Sequence, residues 1–153
     1  MTRVDNMNID SILESAKEKQ LESNCRLPMV AFLLRNGKPT SYGVNKKGFR
    51  GSSIHAEMDC LKKVRFQKRR AKNATMFIAR FMKDGRLGLA KPCSNCLDVL
   101  KSMGIKRVAW TTKNQTVEIA RIEDITTNYL TRSCVNYGAE PQTGLDNFSD
   151  KGK

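Results

Sequence analysis

Histidine is nearly absent from this chain: His55 stands alone among 153 residues. Acidic residues are scarce too, 15 against 28 lysines and arginines, which leaves a net charge of +13. No run of eighteen apolar residues occurs, so no membrane-spanning helix is expected. The first ten residues are polar and include Asp5 and Asp10. They lack the apolar core of a secretory signal, so the expected location is intracellular (cytoplasmic). The five cysteines, at 25, 60, 93, 96 and 134, are odd in number and only one pair is closely spaced. That pattern argues against a disulfide framework. In a reducing compartment such a pair is more often metal-binding or catalytic.

What is present fits one globular domain, expected over residues 1–137 with a core at about 27–122. The 39% apolar and 28% charged fractions are ordinary for such a domain. From Gly138 onward the chain is polar, and 138–153 is expected to be a flexible tail. Cations cluster at Lys62, Lys63, Arg65, Lys68, Arg69, Arg70 and Lys72, with no acid between them. A solvated helix face and a polyanion-binding surface both account for that run.

Apolar spacing places the elements. Asp10 or Ser11 is expected to cap a helix reaching about Ser23, with Ile12, Leu13, Ala16 and Leu21 on one face. Met29–Arg35 reads as a buried strand, Asn36-Gly37 as a tight hairpin turn, and Pro39–Val44 as the returning strand. After a basic, glycine-rich loop at 45–53, a helix is expected from about Ser53 or Ile54. Ile54, Met58, Leu61 and Val64 form its stripe, and the basic run lies on its second half. A strand at 74–81, a turn at 83–86, a helix from Ser94 to a terminal Gly104, and strands at 105–112 and 116–122 follow. A short helix at 123–130 closes the series. The order predicts an α/β fold, a three-layer α-β-α sandwich around a mixed five-stranded sheet, whose last two strands are antiparallel.

Two motifs carry chemistry: His55-Ala56-Glu57 and Pro92-Cys93-Ser94-Asn95-Cys96. Each is weak alone. Together they are stronger, because each sits where a helix is expected to start after an extended segment. Cysteine binds metal as thiolate, and a helix N-terminus lowers the thiol pKa. Cys93 and Cys96 fall within one helical turn, and His55 supplies a third ligand. Three ligands on zinc leave a position for water, the mark of a catalytic site, and such water has a pKa near neutrality. Glu57 is about 200° around the helix from His55, which favours a proton carrier over a fourth ligand. A structural zinc would need that fourth ligand from Cys25, Cys60 or Cys134. Cys60 is better explained by apolar burial, and Trp110 and Phe81 by core packing.

These motifs resemble the signature of the cytidine deaminase superfamily of zinc-dependent nucleobase deaminases. The resemblance spans about residues 27–122. It implies zinc held by His55, Cys93 and Cys96, with Glu57 as proton shuttle. It also implies a sugar contact from Asn45, as in Gly43-Val44-Asn45, and a base pocket lined at Ala56 and before Cys93. The implied reaction replaces the amine at C4 of a cytosine, giving the uracil form and ammonia; for adenine the atom would be C6. In this family the tight connection between Thr112 and Thr116 resembles deaminases of free nucleosides. The implied substrate is therefore a cytosine nucleoside or nucleotide (cytidine, deoxycytidine or dCMP), and the enzyme a self-associating homo-oligomer. The net charge pulls toward a polynucleotide deaminase with the basic helix 62–72 tracking phosphates. A non-catalytic, zinc-stabilised nucleic-acid-binding module is the third reading.

Overall fold

Two β-branched and aromatic-rich segments, each buried on both faces, make the centre of the sheet. The computed structural model describes residues 7–48 and 53–125. Its strands are β1 (Met29–Arg35), β2 (Lys38–Val44), β3 (Lys46–Lys47), β4 (Ser53–Ile54), β5 (Thr75–Arg80), β6 (Arg107–Thr111) and β7 (Val117–Arg121). Its α-helices are α1 (Ile9–Lys19), α2 (Ala56–Lys62) and α3 (Ser94–Ser102). Five strands form one sheet in the order β2-β1-β5-β6-β7, and β3 pairs with β4 apart from it. All neighbours are antiparallel except β5 and β6, which run parallel on either side of the crossover through α3. Asn36 and Gly37 both have positive φ, 53° and 80°, as the two-residue turn joining β1 to β2 requires.

Side chains alternate across the sheet with the period of two that a strand dictates. Val30, Phe32, Phe77, Ala79 and Ala109 meet Ile12 and Ala16 of α1 on one face. Ala31, Leu33, Met76, Ile78 and Val108 meet Cys60 and Leu61 of α2 and Leu97 and Leu100 of α3 on the other. The three-layer α-β-α sandwich expected from the sequence is therefore the architecture observed. Among the described residues, no helix is long and apolar enough to cross a membrane.

Several boundaries differ from expectation. Helix α1 is capped by Asn8, whose Oδ1 accepts the Ser11 N–H at 3.1 Å, rather than by Asp10 or Ser11. It gives way to a 3-10 turn at Gln20–Glu22. Helix α2 starts at Ala56, not Ser53, because Ser53 and Ile54 pair with Lys47 and Lys46. It also stops at Lys62, so beyond that first residue the basic run is not on the helix. A 3-10 turn at Lys68–Arg70 lies within that run. Like charges three and four residues apart, such as Lys62–Arg65, Arg65–Arg69 and Lys68–Lys72, oppose a continued helix. Of the helix expected at 123–130, the described part is a 3-10 turn at Ile122–Asp124; the remainder and the 138–153 tail lie outside the described residues.

Gly43 fixes how closely α2 approaches β2. A Cβ there would fall 2.3 Å from the Cys60 nitrogen and 2.8 Å from the Ala56 carbonyl oxygen. Only a residue without a Cβ lets the first turn of α2 press onto the strand.

Candidate active site

His55 and Cys93 occupy the same structural position on two helices. Each is the N-cap residue, extended at φ −75°, ψ 155° and φ −79°, ψ 171° respectively, and neither side chain caps its own helix. Both helices lie on one face of the sheet, so their starts come together. The ligand atoms of His55, Cys93 and Cys96 all lie within 4.8 Å of one another. His55 Nδ1 is 3.2 Å from Cys96 Sγ. Tetrahedral zinc with ligands at about 2.0–2.3 Å holds them about 3.3–3.8 Å apart, so this donor set fits zinc with little movement. Both cysteines are buried, and Met58 packs against them. His55, Cys93 and Cys96 are positioned to bind a metal ion, with two thiolates and one imidazole suited to zinc.

The segment leading to Cys93 is held by Thr111, at the end of β6. Its hydroxyl donates to the Gly88 carbonyl at 2.7 Å and accepts the Arg80 N–H at 3.2 Å. Its carbonyl accepts the Ala90 N–H at 3.0 Å. The sequence offers no signal for this role, since Thr111 there is one more strand residue. The Asn95 Nδ2, between the two cysteines, is buried without a hydrogen-bond partner among the described residues.

Glu57 is 3% exposed, in the first turn of α2. Burial pushes its carboxyl pKa up, and the neighbouring His55 charge pulls it partly back. Two residues on, Asp59 is also buried. Its Oδ2 accepts the Val44 N–H at 3.0 Å, and its Oδ1 faces Lys46 at 3.3 Å and Lys62 at 3.6 Å. This carboxylate ties α2 to the end of β2 and the start of β3. Nothing along the sequence marks it.

Asn45 sits directly after β2, and its amide is engaged. Oδ1 accepts the Met29 N–H at 2.9 Å and the Ser23 hydroxyl at 2.7 Å; Nδ2 donates to the Leu27 carbonyl at 2.9 Å. It latches residues 23–29 onto the strand end. Ala56 is buried at the start of α2. Cys60 is buried away from the ligand group beside Ser41, and burial raises its thiol pKa to about 11. Cys25 is half-buried and outside the ligand group, and Cys134 lies outside the described residues. Trp110 and Phe81 pack in the two cores on opposite faces of the sheet, as expected.

The family model for the cytidine and deoxycytidylate deaminase zinc-binding region matches residues 5–112. No curated protein matches the chain. Among solved structures, cytidine deaminase from Burkholderia pseudomallei is similar over 77% of this chain and 95% of its own, with TM-score 0.60 and 19% identity. The dCMP deaminase from cyanophage S-TIM5, in complex with dCMP and dUMP, is similar over 67% and 79%, with TM-score 0.53 and 20% identity. Cytidine deaminase from Mycobacterium leprae covers 74% of this chain and 93% of its own, with TM-score 0.53 and 17% identity. At such identities these likenesses speak for the shared fold. The family match takes in all three ligand positions and Glu57, and the chain belongs to the family of the cytidine and deoxycytidylate deaminase zinc-binding region.

Proposed function

We propose that this protein is a hydrolytic deaminase converting a free cytosine nucleoside or nucleotide to its uracil form with release of ammonia. The observation that carries this reading is the convergence of His55, Cys93 and Cys96 beside the buried Glu57. Zinc bound there supplies a Lewis acid and an acidified water. Glu57 is the proton carrier: it takes one proton from the attacking water and delivers it to N3 of the ring, then takes the remaining proton from the new C4 hydroxyl and hands it to the departing amine. A C4–O bond forms, the C4–N bond breaks, and ammonia leaves. Burial of Glu57 suits this task, since desolvation raises the carboxyl pKa toward the range where it both takes and gives protons.

Ala56 is the candidate wall of the base pocket. Asn45 is the candidate sugar contact. The Leu27 carbonyl uses one of its two amide hydrogens, and the second has no partner among the described residues. The antiparallel β6–β7 pair and the kinship to cytidine and dCMP deaminases support a monomeric substrate over a polymeric one. Self-association into a homo-oligomer and an intracellular location belong to the same reading.

The test is ultraviolet absorbance of cytidine, deoxycytidine and dCMP during incubation with the zinc-loaded protein, with ammonia assayed in parallel. Conversion of at least one is expected. No ammonia from any of the three would overturn the reading while leaving the zinc site standing.

A further inference from the structure

We infer that the segment from Lys62 to Lys72, with Phe66 at its centre, is a docking surface for single-stranded nucleic acid, separate from the active site. Phe66 is 87% exposed, the most exposed large apolar side chain among the described residues. The core does not need it: Val64 and Ala71, on either side, are buried and pin the segment down. The Arg65 guanidinium lies 4.8 Å from the centre of its ring, and the exposure leaves the ring open to a second planar group.

The segment is a fixed platform rather than a loose loop. Arg35 Nη1 donates to the carbonyls of Arg69, Arg70 and Lys72 at 2.7, 3.2 and 3.1 Å. Arg70 donates to the Thr40 carbonyl at 3.1 Å and to Gln67 Oε1 at 3.0 Å. Those two arginines hold the backbone in place. Lys62, Lys63, Arg65, Arg69 and Lys72 are exposed, and no acid interrupts the run; Lys62 pairs with Asp59 and Lys63 donates to the Tyr42 carbonyl, while Arg65 lies against Phe66. The nearest carboxylate in sequence, Asp59, is buried and already tied to Lys46, Lys62 and the Val44 N–H.

An exposed ring in an uninterrupted basic segment matches the chemistry of an unpaired strand, whose phosphates meet the cations while a base stacks on the aromatic. A duplex keeps its base faces stacked and offers the ring nothing. A membrane surface asks for a broad apolar helix face, and here one aromatic stands among cations without a helix. Lys63 follows His55 by eight residues, about 12 Å along the α2 axis, so the surface lies beyond the pocket.

The experiment measures fluorescence anisotropy of labelled oligo(dT), which has no cytosine to deaminate, of a duplex of equal length, and of vesicles containing phosphatidylserine. Wild type is expected to prefer the single strand. Phe66→Ala should weaken that binding about tenfold while leaving its salt slope unchanged, and Phe66→Trp should retain it. Arg65→Gln with Arg69→Gln should lower the salt slope by about 1.5. Deamination of a free nucleoside and zinc content should be unaffected by Phe66→Ala. Equal affinity of Phe66→Ala and wild type, equal binding of duplex and single strand, or binding to vesicles alone would each overturn the inference.

Discussion

The two ends of α2 handle charge in opposite ways. At the first turn, Glu57 and Asp59 are buried carboxylates, each placed against named partners. At the last turn and beyond it, Lys62, Lys63, Arg65 and Arg69 are exposed; Lys62 reaches back to Asp59 and Lys63 donates to the Tyr42 carbonyl. A buried polar group is stabilising only while its partners remain, so the first end tolerates little change. An exposed cation contributes little to stability, so the second end is free to vary unless it binds something.

The largest effect is expected at the first end. Glu57→Gln should lower ammonia release by about 10²–10⁴-fold, with zinc content and melting temperature near wild type. Zinc analysis beside the activity assay checks this, and loss of metal together with activity would make Glu57 a structural support instead. Next, Gly43→Ala should destabilise by about 3 kcal/mol, at the upper end of overpacking costs, because the new Cβ meets backbone atoms of α2 at 2.3 and 2.8 Å. The urea midpoint reads that loss, and zinc retention should fall with it.

Asp59→Ala should cost about 1–3 kcal/mol, mostly from leaving the buried Val44 N–H without an acceptor. The lysine pairs add little, since Lys46 and Lys62 are about half exposed. A smaller, pH-dependent contrast concerns Cys60. Burial raises its pKa to about 11, so the neutral thiol is the form the fold favours. Alkylation of Cys60 in the native protein should be negligible at pH 8 and rise only as pH approaches that value. The same raised pKa makes its stability contribution complete below the ordinary thiol pKa of 9.0 and lost as pH climbs from there to about 11. Smallest of all, Arg69→Gln should leave the melting temperature unchanged, since only the Arg69 carbonyl is used by Arg35. A clear fall there would erase the contrast between the two ends.

The candidate metal-binding trio was legible because its placement depends on local rules. His55 and Cys93 precede apolar helical stripes after extended segments, and both prove to be N-cap residues. The hairpin at Asn36-Gly37 was legible for the same reason, since two positive φ values require that residue pair. The basic run reads as helix along the chain, but α2 ends at Lys62. Like charges three and four residues apart oppose its continuation, and further along Arg35 takes the carbonyls of Arg69, Arg70 and Lys72, a contact between distant segments. Asn45 reads in sequence as a strand-end residue, and only the family resemblance implies a sugar contact for it. Its latch to Ser23, Leu27 and Met29 exists only once the chain before β1 folds back over the end of β2. Asp59 and Thr111 were invisible, because a buried acid and a strand threonine have no distinguishing pattern along the chain.

The sequence by itself determined the donor set, the two helix starts that carry it, and the alternation that gives the sheet two apolar faces. Those follow from backbone geometry over a few residues, where spacing and side-chain type suffice. Tertiary structure alone decided that the two helix starts lie side by side within reach of one ion, that Glu57 is out of water beside them, and that Phe66 is left exposed under the Arg65 guanidinium. Those are distances between segments far apart in the chain, fixed by which faces pack and how closely, as the missing Cβ at Gly43 makes plain.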